Sequence, residues 1–231
     1  RDIDLKEGTN PILFSTSPAS SEMNLCNIHF HKNAEHKGGE FTKFAGIGDG
    51  HGYNSGYKYS GTFTQDELVP VDEQICPSEH SELLVGDTIE VHYVHSTAQV
   101  TPGATLGACM NDSNKNPQLR VETQVYVLVN DKEANDFREL TKFDKINGKY
   151  QAINIPTDTG TPVEYAGSTT GPSYNETGSP FQVTWSVRPN VKRVNIHSVA
   201  QWCKVNVFDE NHAHGVRNLI QNKALLSPIS K

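Results

Sequence analysis

Short stretches of alternating hydrophobic and polar residues recur along the chain, and this two-residue period is typical of β-strands. Stripes with the period of an amphipathic helix hardly occur. The clearest strand patterns lie at 27–31, 88–95, 121–129, 182–188 and 191–198. The pattern therefore predicts a mainly β fold.

The segments between these strands are rich in Gly, Ser, Thr, Asn and Pro, which favour turns and surface loops. They lie at 46–61, 101–117 and 157–180. Two short helices are predicted, at 131–141, where Asp131 could cap the first turn, and at 216–226. No internal repeat is visible, and all-β chains of 231 residues commonly fold as one unit, so we expect a single domain spanning 1–231.

Composition and charge exclude two classes of partner. Acidic residues outnumber basic ones by 27 to 20, which gives a net charge of −7 with histidine neutral. The only notable basic doublet is Lys192-Arg193, so nucleic acid is not expected as a partner. The longest aliphatic and aromatic run is 125–129, far short of the about 20 apolar residues that span a membrane. We therefore expect a soluble protein without a membrane span.

Four cysteines, Cys26, Cys76, Cys109 and Cys203, lack any Cys-x-x-Cys spacing. This weakens a zinc-ribbon interpretation and leaves an even number for two disulfides, with three pairings open. Two disulfides favour an oxidising compartment, so we expect a periplasmic or secreted protein; four buried reduced thiols are the alternative. The chain starts at Arg1 with a polar stretch and no signal-peptide core, so we expect that a preceding segment is missing from this sequence.

Two of the ten histidines, His29 and His31, stand two residues apart in the first strand pattern. Side chains at i and i+2 of a strand share a face, so these imidazoles would project side by side while Ile28 and Phe30 face the other way. This arrangement lets two imidazoles reach one metal ion. Two half-exposed polar side chains would give the same pattern, so the pair alone leaves both interpretations open.

The pattern at 88–95 alternates cleanly and places Glu90 and His92 on one face. A buried glutamate is unfavourable unless a partner offsets its loss of hydration. A hydrogen bond from a metal-bound imidazole would supply that partner and fix the tautomer of the ring. The alternative is a surface strand on which both side chains are solvated.

Together the two strands offer three imidazoles, from His29, His31 and His92. Three histidines and one open, water-filled position are typical of catalytic rather than structural zinc. Zinc bound in this way lowers the pKa of its water from about 15.7 to about 7, which produces hydroxide at neutral pH. The combination of three histidines on two neighbouring strand patterns predicts a zinc-dependent hydrolase or hydratase.

These segments resemble those of carbonic anhydrases, most closely the delta class. The resemblance covers nearly the whole chain and rests on C-N-I-H-F-H followed by A-E-H, on V-G-D-T-I-E-V-H, on Y-A-G-S-T-T-G, on V-T-W-S-V and on H-G-V-R, at 26–36, 85–92, 165–171, 183–187 and 214–217. Several of the same pieces are similar to the alpha class. The resemblance implies a largely antiparallel central sheet and a zinc enzyme that hydrates carbon dioxide reversibly to bicarbonate.

The resemblance also implies roles for individual residues. His29, His31 and His92 would be the zinc ligands, with Glu90 hydrogen-bonded to a ligand imidazole. Val94 and Trp185 would form the apolar wall that contacts carbon dioxide.

By the same resemblance Thr170 would accept a hydrogen bond from the zinc-bound hydroxide and donate its own to Glu35. Thr169 stays open, for this role or as a substrate contact. The cysteines of the family imply that Cys26 pairs with Cys203 and Cys76 with Cys109.

The proton-shuttling histidine of many alpha-class enzymes, upstream of the ligand strand, has no counterpart in this sequence. His36, His51 and His95 remain candidates for that task.

Two other interpretations stay open. The spacing of His29, His31 and Glu35 also fits the first motif of cupins, which bind iron, manganese or zinc, and Glu35 would then be a ligand itself. The later cupin glycine and the second cupin motif are not recognisable. The second alternative is a carbonic-anhydrase-like module that binds zinc without catalysis. A homo-oligomer is likewise left open.

Overall fold

The computed structural model describes residues 2–9, 11, 14–169, 181–216 and 229–230. Its strands are β1 (Phe14–Ser15), β2 (Asn24–Lys32), β3 (Lys43–Phe44), β4 (Tyr57–Lys58), β5 (Thr88–Ser96), β6 (Leu119–Val129), β7 (Phe143–Ile146), β8 (Lys149–Ala152), β9 (Val163–Thr169), β10 (Phe181–Asn195) and β11 (Ile229–Ser230). The helices are α1 (Phe137–Leu140) and α2 (Ile196–Lys204), with 3-10 turns at Ile3–Leu5, Ser20–Glu22, Asp66–Leu68 and Leu106–Cys109. None of the helices in these ranges is long and apolar enough to cross a membrane.

Five strands form the central sheet in the order β2-β5-β6-β10-β9. All neighbours pair antiparallel except β6 and β10, which run parallel. Every residue of β5 is buried, and so is every residue of β6 but one. Such burial requires both faces of the sheet to be covered. The predicted mainly β fold with a largely antiparallel central sheet is confirmed.

The two faces of the sheet carry separate hydrophobic cores. Strand β5 sends Val91 and Tyr93 to one face, where α1, α2 and the β7-β8 hairpin pack over the sheet. It sends Val94 to the opposite face, where the core includes Val121 and Trp185. The second face is called the site face below, because the candidate functional residues project from it.

One long strand, β10, replaces the two strands predicted at 182–188 and 191–198. Pro189 and Asn190 lie at an irregularity where the pairing with β6 shifts register. Proline is tolerated at such a place because it has no N–H to give to the ladder. The N–H of Asn190 donates to the carbonyl of Thr159 at 3.0 Å, and the pairing of β10 with β6 resumes at Val191.

Helix α2 starts where the predicted strand at 191–198 was expected to continue. The side chain of Asn195 accepts a hydrogen bond from the N–H of His197 at 3.0 Å and caps the helix. The sequence analysis missed this cap, because the strand-like pattern before it hides the change of period.

Only α1 is helical within the predicted helix at 131–141. Its cap is Asp136, whose carboxylate accepts from the N–H of Arg138 at 2.8 Å, and not Asp131. In the predicted helix at 216–226, Val216 is not helical, and the residues after it lie outside the described ranges. Strand β9 lies inside the predicted loop at 157–180.

All four cysteines form disulfides, Cys26 with Cys109 and Cys76 with Cys203. The pairing of Cys26 with Cys203 and of Cys76 with Cys109 is therefore wrong. Cys26 and Cys109 belong to the core of the site face, and the other two belong to the core of the opposite face. The sheet lies between the two pairs, so the expected bonds would have had to cross it.

Candidate metal centre

The register of β2 and β5 places His29 directly opposite His92 and His31 opposite Glu90. Opposite residues of an antiparallel pair share a face, so the three histidines project together from the site face. Their ring centroids are 5.3 Å (His29–His31), 5.0 Å (His29–His92) and 4.9 Å (His31–His92) apart. One ring nitrogen of each lies within 4.8 Å of the other two, so the group could hold a metal ion.

The two histidines of β2 are each oriented by an oxygen atom behind the ring. Nδ1 of His29 lies 2.6 Å from Oδ1 of Asn27, and Nδ1 of His31 lies 3.3 Å from the carbonyl oxygen of Gly215. An acceptor at one ring nitrogen fixes the tautomer and leaves the other nitrogen for a metal. In both rings the nitrogen left over is Nε2.

His92 is oriented in the opposite sense, because its Nε2 lies 2.7 Å from Oε1 of Glu90. Nδ1 is therefore left over, and it lies 3.2 Å from Nε2 of His29. Two ring nitrogens at this distance need a proton between them or a cation beside them, since their lone pairs otherwise repel. The donor set of three imidazole nitrogens fits zinc in a catalytic type of site.

Burial lowers the pKa of two of these histidines. Loss of hydration takes the pKa of His29 well below its ordinary value, and the neighbouring imidazoles lower it further. Burial likewise lowers the pKa of His31 to about 4. For His92 burial also acts downward, but the hydrogen bond and charge of Glu90 outweigh it and raise the pKa. A metal ion at this centre therefore competes with a proton mainly at His92.

Glu90 is completely buried between two imidazoles. Besides His92, it contacts His36, whose Nδ1 lies 2.8 Å from Oε1 and whose backbone N–H donates to Oε2 at 3.1 Å. Burial alone would raise the pKa of Glu90, but these partners outweigh it and hold the pKa well below the ordinary value. Nε2 of His36 lies 2.5 Å from the hydroxyl of Tyr165, which extends the chain of hydrogen bonds. Glu90 is thus ionised and fixed.

Glu35 approaches the centre from behind the rings. Its Oε1 lies 3.4 Å from Nδ1 of His31 and its Oε2 lies 3.9 Å from Nε2 of His92, the nitrogens that point away from the converging ones. Glu35 accordingly groups with Glu90 and His92, apart from the three histidines. This position does not favour the cupin interpretation, in which Glu35 is a metal ligand.

Val94 and Trp185 lie on the same face of the sheet as the three histidines. Both are buried on the site face. The ring of Trp185 lies 5.1 Å from the ring of His92, and Val94 stands opposite Val121 of β6. The resemblance implied that both residues contact carbon dioxide, and that role stays a prediction.

Two of the expected site residues lie at the limit of the described structure. Thr169 is the last residue of β9, but its side chain lies outside the described residues, as does all of Thr170. The structure therefore leaves their roles as predictions.

Of the three candidate proton carriers, two are enclosed. His36 is buried between Glu90 and Tyr165. His95 is buried on the face away from the site, where loss of hydration lowers its pKa to about 4. His51 lies on an exposed loop and stacks on His80 with ring centroids 4.3 Å apart. Neither His36 nor His95 is placed to carry protons to solvent.

The sequence analysis missed His214, a fourth imidazole at the centre. Its ring lies 5.7 Å from the rings of both β2 histidines, and its Nε2 lies 2.6 Å from Oε2 of Glu210. The backbone carries it there, because its N–H donates to the carbonyl of Phe30 and its carbonyl accepts from the N–H of Lys32, each at 2.8 Å. Two signals pointed to it, the H-G-V-R segment that begins at His214 and the four-residue spacing of Glu210 and His214, but neither was given a role at this centre.

The fold and the site define a mainly β protein with a three-histidine centre of the kind that holds a catalytic metal. A model of the delta carbonic anhydrases matches residues 20–198. The chain belongs to the delta carbonic anhydrase family. It is accordingly a carbonic anhydrase, an enzyme that acts on carbon dioxide and bicarbonate.

No curated protein matches the chain. Among solved structures, an alpha-carbonic anhydrase from Thermovibrio ammonificans in complex with the inhibitor sulfanilamide is 13% identical, over 94% of this chain and 87% of that one, with a TM-score of 0.30. A hyperthermostable carbonic anhydrase from an active hydrothermal vent chimney is 14% identical, over 97% and 88%, with a TM-score of 0.29. The Photobacterium profundum alpha-carbonic anhydrase is 14% identical, over 97% and 85%, with a TM-score of 0.27. The family assignment rests on the sequence match.

Proposed function

We propose that this protein catalyses the reversible hydration of carbon dioxide to bicarbonate and a proton, with Zn²⁺ held by His29, His31 and His92. The observation that carries the proposal is the convergence of three imidazole nitrogens whose opposite ring nitrogens all have oxygen partners. Three imidazoles suit zinc and leave a position for water or substrate. Bound zinc supplies a Lewis acid that lowers the pKa of a coordinated water to about 7.

Glu90 acts by positioning His92. Its carboxylate accepts the Nε2–H of the ring, which directs Nδ1 toward the metal and makes that nitrogen a stronger base. The second partner, His36, holds the carboxylate from the other side. Because Glu90 is ionised and fully enclosed, this orientation holds throughout the neutral pH range.

Val94 and Trp185 supply the surface that carbon dioxide meets. The substrate is small and apolar, so it needs an apolar wall beside the metal more than it needs hydrogen-bonding groups. Trp185 contacts the ring of His92, which brings this wall directly against a metal ligand.

Thr170 and Glu35 orient the attacking group in this proposal. Thr170 accepts a hydrogen bond from the hydroxyl that attacks carbon dioxide and donates its own hydrogen to Glu35. The position of Glu35 within 4 Å of two ligand rings supports this role. Thr169 is the alternative, and otherwise contacts the substrate.

We further place the protein in the periplasm or outside the cell, as one domain spanning 1–231. Both disulfides are buried in the cores, and structural disulfides persist in oxidising compartments.

Metal analysis and stopped-flow hydration of carbon dioxide test the proposal. The zinc-loaded protein should hold one zinc per chain and accelerate hydration far above buffer. His92→Ala should lose both zinc and activity. His95→Ala is the matched control, since it removes a buried histidine of the same strand on the opposite face, and it should keep both.

Three results would contradict the proposal in different ways. Iron or manganese in place of zinc would overturn the assignment of zinc as the metal. Zinc bound without any acceleration would make the protein a binding module. An active His92→Ala variant that retains zinc would remove His92 from the ligand set.

The two threonines can be separated by substitution. Thr170→Ala should lower kcat about a hundredfold or more, as expected when one hydrogen bond in the reacting geometry is lost. Thr169→Ala should change kcat only a few-fold. The reverse result would transfer the role to Thr169.

A further inference from the structure

The loop between β5 and β6 is fastened to the first ligand strand at several points. Cys109, at the end of the 3-10 turn Leu106–Cys109, forms a fully buried disulfide with Cys26 of β2. The N–H of Gly103 donates to the carbonyl of Cys26 at 3.0 Å. The carbonyl of Cys109 accepts the hydroxyl of Ser96 at 2.6 Å, which ties the same loop to β5.

This loop also holds the amide of Asn27. Nδ2 of Asn27 donates to the carbonyl of Gly103 at 3.0 Å, while Oδ1 lies 2.6 Å from Nδ1 of His29. Asn27 is 1% exposed, so water has no access to replace either partner. The loop therefore decides which end of the amide faces the ligand histidine.

A bulge in β2 makes this part of the strand depend on the loop. Leu25 pairs with His95 and Asn27 pairs with Val94, so Cys26 is an extra residue without a partner in the ladder. The bulge turns Cys26 to the site face beside Asn27. A bulged residue is held less firmly by the sheet than its neighbours. The disulfide and Gly103 supply the missing restraint.

We propose that the Cys26–Cys109 disulfide and its loop are a positioning unit for the metal centre, acting through Asn27 on His29. The inference rests on the proposed metal centre. Its consequence is that zinc affinity depends on this disulfide and not on disulfides in general.

The second disulfide is a matched control within the same chain. Cys76 and Cys203 are also buried, but they lie in the core of the opposite face. They are 127 residues apart in sequence and Cys26 and Cys109 are 83 apart, so the effect of cross-linking on the unfolded chain is at least as large for the control. Any difference in zinc affinity then reflects position and not global stability.

The test compares Cys26→Ala/Cys109→Ala with Cys76→Ala/Cys203→Ala. Circular dichroism and denaturant midpoints of the metal-free proteins establish folding, and competition with a chromophoric chelator gives the zinc Kd. Both variants should have lower midpoints. The first should bind zinc about tenfold more weakly or worse, as expected when an outer partner of a ligand is disturbed, and the second should stay within about twofold of wild type.

A double-mutant cycle with Asn27→Ala tests whether the disulfide acts on His29 through Asn27. Asn27→Ala should weaken zinc about tenfold with both disulfides intact. If the disulfide acts through Asn27, adding Asn27→Ala to the variant lacking Cys26 and Cys109 should produce little further loss. Fully additive losses, or equal zinc Kd values for the two disulfide variants, would overturn the inference.

Ser96→Ala covers the case in which the disulfide variant does not fold. It keeps both Asn27 and the disulfide but removes the hydroxyl that donates to the carbonyl of Cys109, so the loop is held less firmly and zinc binding should weaken. Zinc binding as tight as in wild type would show that the hold of the loop is not needed. Failure of the proposed function is recognised separately, because wild-type protein would then bind no zinc through these histidines at all.

Discussion

His29 and His92 face each other across neighbouring strands, with Nε2 of the first 3.2 Å from Nδ1 of the second. Without a cation beside them, two imidazole nitrogens stay at this distance only when one of them carries a proton directed at the other. The raised pKa of His92, caused by the hydrogen bond and charge of Glu90, favours His92 over His29 as the protonated ring.

The first prediction is that zinc binding displaces this proton. Since the folded-state pKa of His92 lies above its ordinary value, zinc affinity should rise with pH through that pKa and level off beyond it, by about tenfold per pH unit for one proton. Calorimetry in buffers of different ionisation enthalpy measures the released proton. An affinity that does not change between about pH 6 and 7 would contradict the assignment.

The second prediction concerns Gly215, whose carbonyl lies behind His31. A Cβ at this position would lie 2.7 Å from the carbonyl carbon of Gly52. Gly215→Ala should therefore shift the carbonyl and weaken zinc binding about tenfold. Gly148→Ala is the control. A Cβ at this position meets nothing within 4 Å, but the backbone of Gly148 has a positive φ that alanine adopts only with strain. It should lower stability by about 1–2 kcal/mol and leave the zinc Kd unchanged.

The third prediction separates the substrate wall from the general core. Val94→Thr places a hydroxyl on the site face, and Val91→Thr places one on the opposite face of the same strand. Both valines are buried, so each substitution should destabilise the protein by about 1–3 kcal/mol. Only Val94→Thr should raise KM for carbon dioxide. Equal KM values for the two variants would remove Val94 from the substrate wall.

The fourth prediction is a loss of stability in acid that originates away from the metal centre. Burial lowers the pKa of His95 to about 4, whereas an exposed histidine in the unfolded chain titrates near about 6.5. Between these two pH values the His95 ring is protonated in the unfolded state and neutral in the folded state. The contribution of His95 to the free energy of unfolding is therefore present above about pH 6.5 and is lost as the pH falls toward 4.

Denaturant unfolding of the metal-free protein between pH 4 and 7 tests this contribution. His95→Gln should reduce the slope of the unfolding free energy by up to about 1.4 kcal/mol per pH unit. An unchanged slope for His95→Gln would contradict the burial argument.

The strands that carry the site were predictable because the sequence marks their faces. Alternation in β2 and β5 assigns His29, His31 and His92 to polar positions between buried ones, and both strands formed within a few residues of the predicted bounds. Proximity of the three rings needed more than pattern, since pairing of β2 with β5 is a long-range event. The step came from the chemistry of three imidazoles on two strands, which suits one zinc ion, and the resemblance to a known family agreed with it.

The disulfide pairing could not be predicted because it depends on a bulge. Regular alternation would put Cys26 on the same face as Ile28 and Phe30, where Cys203 lies. The extra residue in β2 turns Cys26 to the site face and toward Cys109. Bulges leave no reliable mark in a sequence, because they are set by the packing around a strand.

Strand β2 is outermost in the central sheet, and the backbone of His214 lies against it at the level of His31. An outermost strand exposes unpaired N–H and C=O groups to which another chain can add. The N–H of His214 donates to the carbonyl of Phe30 and its carbonyl accepts from the N–H of Lys32, so these groups of β2 are occupied beside the site. A protein shortened before Ala213 would therefore lose the oxygen that accepts from His31. It would also expose unpaired backbone groups of β2, to which the edge strand of a second copy could bind.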